Sequence, residues 1–316
     1  VLVTSAVIMG HDGLMSIPQT AASTTLNPFQ GSAPLGAPAR EEYVKTMLAR
    51  TTRTAVPIRS AFVQRLAKDA NASGERGSML AKIVKTRSAV HLDAFLFIHA
   101  IASSRAPYKA TYPSQTWVRA LGLDQGTGGG TDDGLEAAQS SWSKVVRRLV
   151  DQGLIRRERE GRQMSYILLD ESGHGSEYVR PTSDKVHGTW FSIPHAYWLE
   201  GHYMTMTFPA KVMLLIALSM KSTFTLPFER VPKWYGISQS TAKRGFAELT
   251  KKGILSHTIQ WRIEPTSPVG YAEMRSYELQ GGWSTASRKA ASTRPTDAVL
   301  FTVPATNSGD EKSVGE

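Results

Sequence analysis

"RRLVDQGLIRRER", from Arg147 to Arg159, and "AELTKKGILSHTI", from Ala247 to Ile259, carry the same pattern twice at an offset of 100 residues. In each, an amphipathic helix runs out through a polar last turn, meets a glycine and gives way to a β-prone run. Gly153 and Gly253 stand where the chain leaves the helix, a place glycine favours because it has no Cβ to oppose the left-handed turn. The elements around the two stretches repeat as well. Upstream of the first lie "HLDAFLFIHAIASS", apolar around most of its circumference like a buried helix, then "PYKATY", a short β-capable run. "PSQTWVRALGL" follows as a short helix that Ser114 caps and Gly122 ends. Upstream of the second lie "FPAKVMLLIALSMK", "STFTLPF" and "VPKWYG", a buried helix, a short strand and a short helix with Pro near its start. Downstream, "LIRRERE-GR-QMSYILLD" reads as a hairpin, and so do "ILSHTIQWRIE" and "YAEMRSYELQ" around the loop "PTSPVG".

The order helix, strand, helix, helix, hairpin, occurring twice, predicts an α+β chain, mainly α with small β-hairpins, built as two tandem winged helix-turn-helix domains with disordered termini. The expected boundaries are a Ser/Thr/Pro-rich disordered tail at 1–40 and a basic helical lead-in at 41–90, where ten Lys/Arg face four acids. A first domain at 91–170, a polar linker at 171–187, a second domain at 188–282 and a disordered tail at 283–316 complete the chain. Trp190, Phe191, Tyr197, Trp198 and Tyr203, in "GTWFSIPHAYWLEGHY", are expected in the second core and at the domain interface.

The stretch "YGISQSTAKRGFAELTKKGIL", Tyr235 to Leu255, resembles the recognition-helix region of winged-helix transcription regulators, especially those of the GntR-like and MarR-like families. Their pattern is Gly, apolar, Ser, two polar residues, Thr, then Arg, then a Leu-rich end and Gly-apolar. Ser238 caps the helix, and Ala242, Phe246 and Leu249 fall on one face at i, i+4 and i+7. That leaves Gln239, Ser240, Thr241, Lys243 and Arg244 on the N-terminal half that enters the major groove. Gln and Arg suit purine edges, whereas Ser, Thr, Lys and the helix amides suit phosphates. The resemblance implies DNA contacts at Gln239, Thr241 and Arg244. A 100-residue shift places Gln139, Ser140, Ser141 and Lys144 at the corresponding positions of the first unit, with Arg147 further along. There the spacing departs: Gly122 to Gln139 spans 17 residues against three from Gly236 to Gln239, so a 14-residue Gly-rich insertion, "DQGTGGGTDDG" at its centre, replaces the tight turn.

The first wing is the more basic. Arg156, Arg157, Arg159 and Arg162 crowd a short hairpin, an arm for phosphates or a narrow minor groove. Alternation puts Arg157 and Arg159 on one face and Arg156 on the other. The second wing has Lys251, Lys252, His257 and Arg262 nearby. The expected division is that the first unit grips and the second reads.

Composition agrees with a polyanionic partner: 37 Lys+Arg against 27 Asp+Glu give a formal charge of +10 and a pI near 9.7. The chain has no cysteine, which excludes disulfides, zinc ribbons, Fe–S clusters and thiol nucleophiles. Its apolar runs are about half the roughly 20 residues a membrane helix needs. The Gly-rich loop lacks the Gly-Lys-Ser/Thr of a phosphate cradle. Asp170, Glu171, His174, His187, His195 and His202 lack metal-site spacing. No catalytic set, cofactor, metal or small-molecule ligand is expected. The expectation is a non-enzymatic cytoplasmic, nucleoid-associated protein that binds double-stranded DNA sequence-specifically, as a homodimer or through both units of one chain. Its first reading is a transcription regulator. Alternatives are a replication initiator of a plasmid or mobile element, since one widespread type of initiator has two winged-helix domains in tandem, and a protein-interaction module.

Overall fold

Two runs too apolar to present a solvent face, Ala89–Ile101 and Phe208–Leu218, become the buried central helices of the molecule. The computed structural model describes residues 39–125, 132–182, 188–266 and 268–293. The expected N-terminal tail to Pro38, the glycine run 126–131, linker residues 183–187 and the C-terminal residues from 294 on lie outside the described residues.

The elements follow in order α1 (Arg40–Ala49), β1 (Ala55–Arg59), α2 (Met79–Lys85), α3 (Ala89–Ile101), β2 (Lys109–Thr111), α4 (Ser114–Leu121), α5 (Asp132–Asp151), β3 (Ile155–Glu160) and β4 (Gln163–Leu168). They continue with β5 (Trp190–Pro194), α6 (Ala196–Leu199), α7 (His202–Thr205), α8 (Phe208–Leu218), β6 (Thr223–Thr225), α9 (Val231–Tyr235), α10 (Gln239–Lys251), β7 (Leu255–Ile263), β8 (Tyr271–Leu279) and α11 (Thr285–Thr293). The chain is α+β. The run α3-β2-α4-α5-β3-β4 recurs as α8-β6-α9-α10-β7-β8. The two antiparallel three-stranded sheets have matching strand orders, β2-β4-β3 and β6-β8-β7.

Each repeat closes on aromatic packing. In the first, Trp117 of α4 stacks on Trp142 of α5 at 5.1 Å, and the Trp142 indole donates to the Tyr166 hydroxyl of β4 at 2.9 Å. In the second, Phe224, Phe246 and Tyr277 bring β6, α10 and β8 together. Where the first repeat has Val145, α10 has Gly245. A Cβ there would lie 2.4 Å from the Pro209 carbonyl oxygen and 2.5 Å from Met213 Cγ, so α8 and α10 approach almost backbone to backbone. Gly153 and Gly253 adopt φ of 66° and 68°, the left-handed turn that lets each helix feed its hairpin.

The repeats join by contacts that sequence pattern did not show. Asp93 of α3 and Lys211 of α8 form an ion pair, with Nζ at 2.8 and 2.7 Å from the two carboxylate oxygens, and both residues are buried. Strand β1 pairs antiparallel with β5, Ala55 opposite Pro194 through Arg59 opposite Trp190. Phe97 of α3 packs against Trp198 of α6.

Several expectations change accordingly. The lead-in at 41–90 is not wholly helical: it contributes β1, and its basic residues are partly structural. Arg53 donates to the carbonyls of Ala100 and Ala102 at 3.1 and 2.7 Å, closing the end of α3. Arg59 pairs with buried Glu171 at 2.6 Å and with Asp170 at 3.1 Å. The start of the expected polar linker is therefore held inside, with Glu171 and Tyr178 buried. The expected C-terminal tail begins too early at 283. Trp283 is buried against Tyr197 and His202, and α11 follows, with Arg288 donating to the Ser192 carbonyl. Of the five expected core aromatics, Trp190 stays 38% exposed and donates to the Thr182 carbonyl, while the other four are buried. Ser114 is the first residue of α4 rather than its cap, a position taken by Pro113. Among the described residues no helix is long and apolar enough to cross a membrane.

Removing one partner of a buried ion pair leaves an unmatched charge, at a cost of about 3–5 kcal/mol, whereas replacing both by apolar residues is often neutral. Asp93→Leu alone should lower the unfolding free energy by about that amount, and Asp93→Leu with Lys211→Met should recover most of it in urea titration. Equal losses for single and double variants would contradict the pairing.

Burial, reinforced by the charges of Arg53, Arg180 and Arg59, holds the His99 ring well below its usual 6.5, and burial with Arg53 takes His195 down to about 4. Both rings stay neutral in the fold while the unfolded chain protonates, so their contribution is present above 6.5 and is lost as pH falls toward 4. Burial raises the carboxyls of Asp93 and Glu171, which act in the opposite sense. The histidine part is read by difference: His99→Leu should show a smaller drop in urea midpoint between neutral and mildly acid pH than the unaltered chain. An unchanged drop would contradict it.

Candidate nucleic-acid interface

The tight turn before α10 is built from Tyr235 and Ile237, both buried, around Gly236 at φ 67°. It delivers Ser238 as the N-cap, whose Oγ accepts from the Thr241 amide at 3.2 Å. Ala242, Phe246 and Leu249 are buried as their spacing predicts. Gln239, Ser240, Lys243 and Arg244 are exposed on the first two turns. Gln239 with Lys243 and Ser240 with Arg244 sit one turn apart. Thr241 is half-buried and its hydroxyl lies 2.8 Å from the Ser238 hydroxyl, so it serves the cap. The result is a helix start with two cations, two polar side chains and the positive end of the peptide dipoles, able to pair with base edges and phosphates together.

The first repeat arranges its counterpart differently. Helix α5 begins at Asp132, so the last residues of the expected loop are helical and seven residues precede Gln139. Gln139 and its neighbours are thus in the body of a 20-residue helix, not at its start. Ser140, Lys144 and Arg147 are exposed at i, i+4 and i+7 on one stripe. Gln139 and Ser141 flank it half-buried, and the Ser141 hydroxyl is turned back to the Ala137 carbonyl at 3.0 Å. Arg148 and Ser143, which sequence comparison of the repeats did not single out, are exposed beside the stripe.

The two hairpins diverge further. β3 and β4 turn at Gly161 and Arg162, and Arg156, Arg157, Arg159 and Arg162 are all exposed. Among the described residues none of these four guanidiniums forms an ion pair. Arg157 and Arg159 share a face, Arg156 the other, as alternation requires. Glu160 at the tip is drawn away from them. Hydrogen bonds from Lys109 and Ser165 hold its carboxyl below the usual range and tie the tip to β2 and β4.

In the second hairpin, nine residues per strand against six, the cations are matched: Arg262 pairs with Glu264 at 2.5 Å and Arg275 with Glu273. Lys251, Lys252 and His257 are exposed near its base. Its distinguishing feature is apolar rather than charged. Ile259, Trp261 and Ile263 alternate along β7 and, with Tyr271, project into solvent. The signal was present in "IQWRI" as an apolar alternation on a strand whose polar residues are the ones expected to face water.

Comparison with protein-family models, with curated proteins and with solved structures finds no match to this chain.

Proposed function

We propose that the protein binds double-stranded DNA sequence-specifically as a tandem winged helix-turn-helix protein, with α10 reading a major groove and the β3–β4 hairpin holding flanking phosphates. The observation that carries this reading is the doubled fold plan, in which each hairpin follows a helix with an exposed polar and cationic stripe. In the second repeat, Gln239, Ser240, Lys243 and Arg244 supply base-edge and phosphate donors at a capped helix start. In the first, Ser140, Lys144 and Arg147 lie along the helix body and four exposed arginines on the hairpin suit the backbone. The role is that of a transcription regulator. A replication initiator is the second reading, favoured by the joining of the repeats through Asp93–Lys211 and β1–β5, which suits one chain gripping reiterated origin sites.

Duplexes selected from a random pool provide the ligand for a test. Arg244→Ala should cost about 1 to 3 kcal/mol on the selected site and relax its sequence preference. Arg157→Ala with Arg159→Ala should weaken all duplexes alike and reduce the slope of log affinity against log salt by about one per lost phosphate contact. Unchanged specific affinity in Arg244→Ala would contradict the assignment of α10 as the reading helix, and Lys144→Ala should weaken all duplexes alike. Selected sites scattered among promoters would favour the regulator, and clustered direct repeats the initiator.

A further inference from the structure

The open edge of the second hairpin is a place where a protein would ordinarily be protected and this one is not. Among the described residues, β7 has β8 on one side and no strand on the other. The bonds from the Glu264 amide to the Gly270 carbonyl and from the Gln280 amide to the Ile254 carbonyl set the phase of the ladder. Even-numbered residues of β7 therefore bond to β8, and the amides and carbonyls of His257, Ile259, Trp261 and Ile263 face outward. The side chains of those same outward residues share one face of the sheet, joined by Tyr271 from β8. Ile259 is 46% exposed, Trp261 67%, Ile263 74% and Tyr271 55%.

Natural edge strands are blunted by lysine, proline, bulges or brevity. β7 runs nine residues without proline or lysine and pairs with β8 in unbroken register. The first repeat shows the contrast within the same chain. There the bond from the Leu169 amide to the Leu154 carbonyl sets the phase, and the outward residues of β3 include Arg157 and Arg159, whose like charges would oppose a second strand.

We propose that β7 is the interface between two copies of this chain, paired antiparallel about a two-fold axis through Gln260 to give a continuous six-stranded sheet. In that register His257 meets Ile263 of the other copy and Ile259 meets Trp261, so the four exposed outward residues all find bonding partners. Antiparallel self-pairing keeps odd residues opposite odd ones, and the apolar stripes of the two copies merge on one face. On the other face Thr258 meets Arg262 and Gln260 meets its own copy, with no like charges opposed. Pro265, lacking an amide hydrogen, falls opposite Leu255 at the buried base of the strand, whereas a register centred on Trp261 would place it against exposed His257 and forfeit a bond there. This interface does not depend on the DNA-binding reading and is measured without DNA.

Sedimentation equilibrium of the full chain should show a reversible dimer at micromolar concentration that persists at high salt, since apolar contact is not screened. Ile259→Lys with Trp261→Lys should raise its dissociation constant by about 100-fold or more. Because the chain has no cysteine, single-cysteine variants report the register. Gln260→Cys sits opposite its own copy, Cα atoms about 4.5 Å apart, inside the disulfide range of roughly 4.4–6.8 Å, and should crosslink under mild oxidation. Thr258→Cys, roughly 14 Å from its copy along the strands, should not. A monomeric chain, a dimer indifferent to the lysine substitutions, or equal crosslinking by both cysteines would overturn the proposal. So would lysine variants that lose DNA affinity without any change in sedimentation, which would assign the stripe to DNA.

Discussion

A buried carboxylate on one central helix and a buried ammonium on the other hold the two halves of this molecule in register. Asp93 and Lys211 lie buried in the first half of largely apolar helices, where each charge alone would be strongly unfavourable. Each is tolerable only because the other is there, and that mutual requirement fixes the approach of α3 and α8 more narrowly than apolar packing would. Around the pair, β1 and β5 zip segments about 135 residues apart, and Arg59 clamps the chain leaving the first repeat through Glu171 and Asp170. Two units that repeat one plan are thereby made parts of one body.

Within that body the repeats have taken different physical characters. The first carries an elongated helix and a short hairpin of exposed arginines whose acidic tip is tied back to β2 and β4. The second carries a capped helix start behind a tight turn and a long hairpin whose arginines are neutralised and whose apolar residues are exposed. The first surface suits holding a polyanion irrespective of sequence. The second offers base-edge donors at a capped helix start, and the edge of its hairpin is apolar where that of the first is charged.

The parts visible in the sequence were those governed by local rules. The helix, Gly, strand transitions at Gly153 and Gly253, the cap at Ser238 and the buried face of Ala242, Phe246 and Leu249 follow from spacing alone. The parts that escaped depend on distant partners. β1 could not be recognised among basic helical-looking residues because its partner, β5, lies about 135 residues away. Asp93 and Lys211 are indistinguishable from surface charges until their helices meet, and Trp283 follows two glycines in a stretch whose composition otherwise suggests a tail. At the candidate site, the exposed face of α10 was legible, whereas the seven added residues of α5 were hidden by the glycines before them. The stripe on β7 is not legible as exposed, because hydrophobic alternation along a strand ordinarily marks a buried face.

Protection of guanine N7 from methylation on a selected duplex tests most directly that α10 reads the major groove while the first repeat holds the backbone. One set of protected major-groove positions is predicted, weakened by Arg244→Ala and left at the same positions, at lower overall affinity, by Arg157→Ala with Arg159→Ala. Protection indifferent to Arg244→Ala, or a protected set that changes position with the hairpin substitutions, would contradict it.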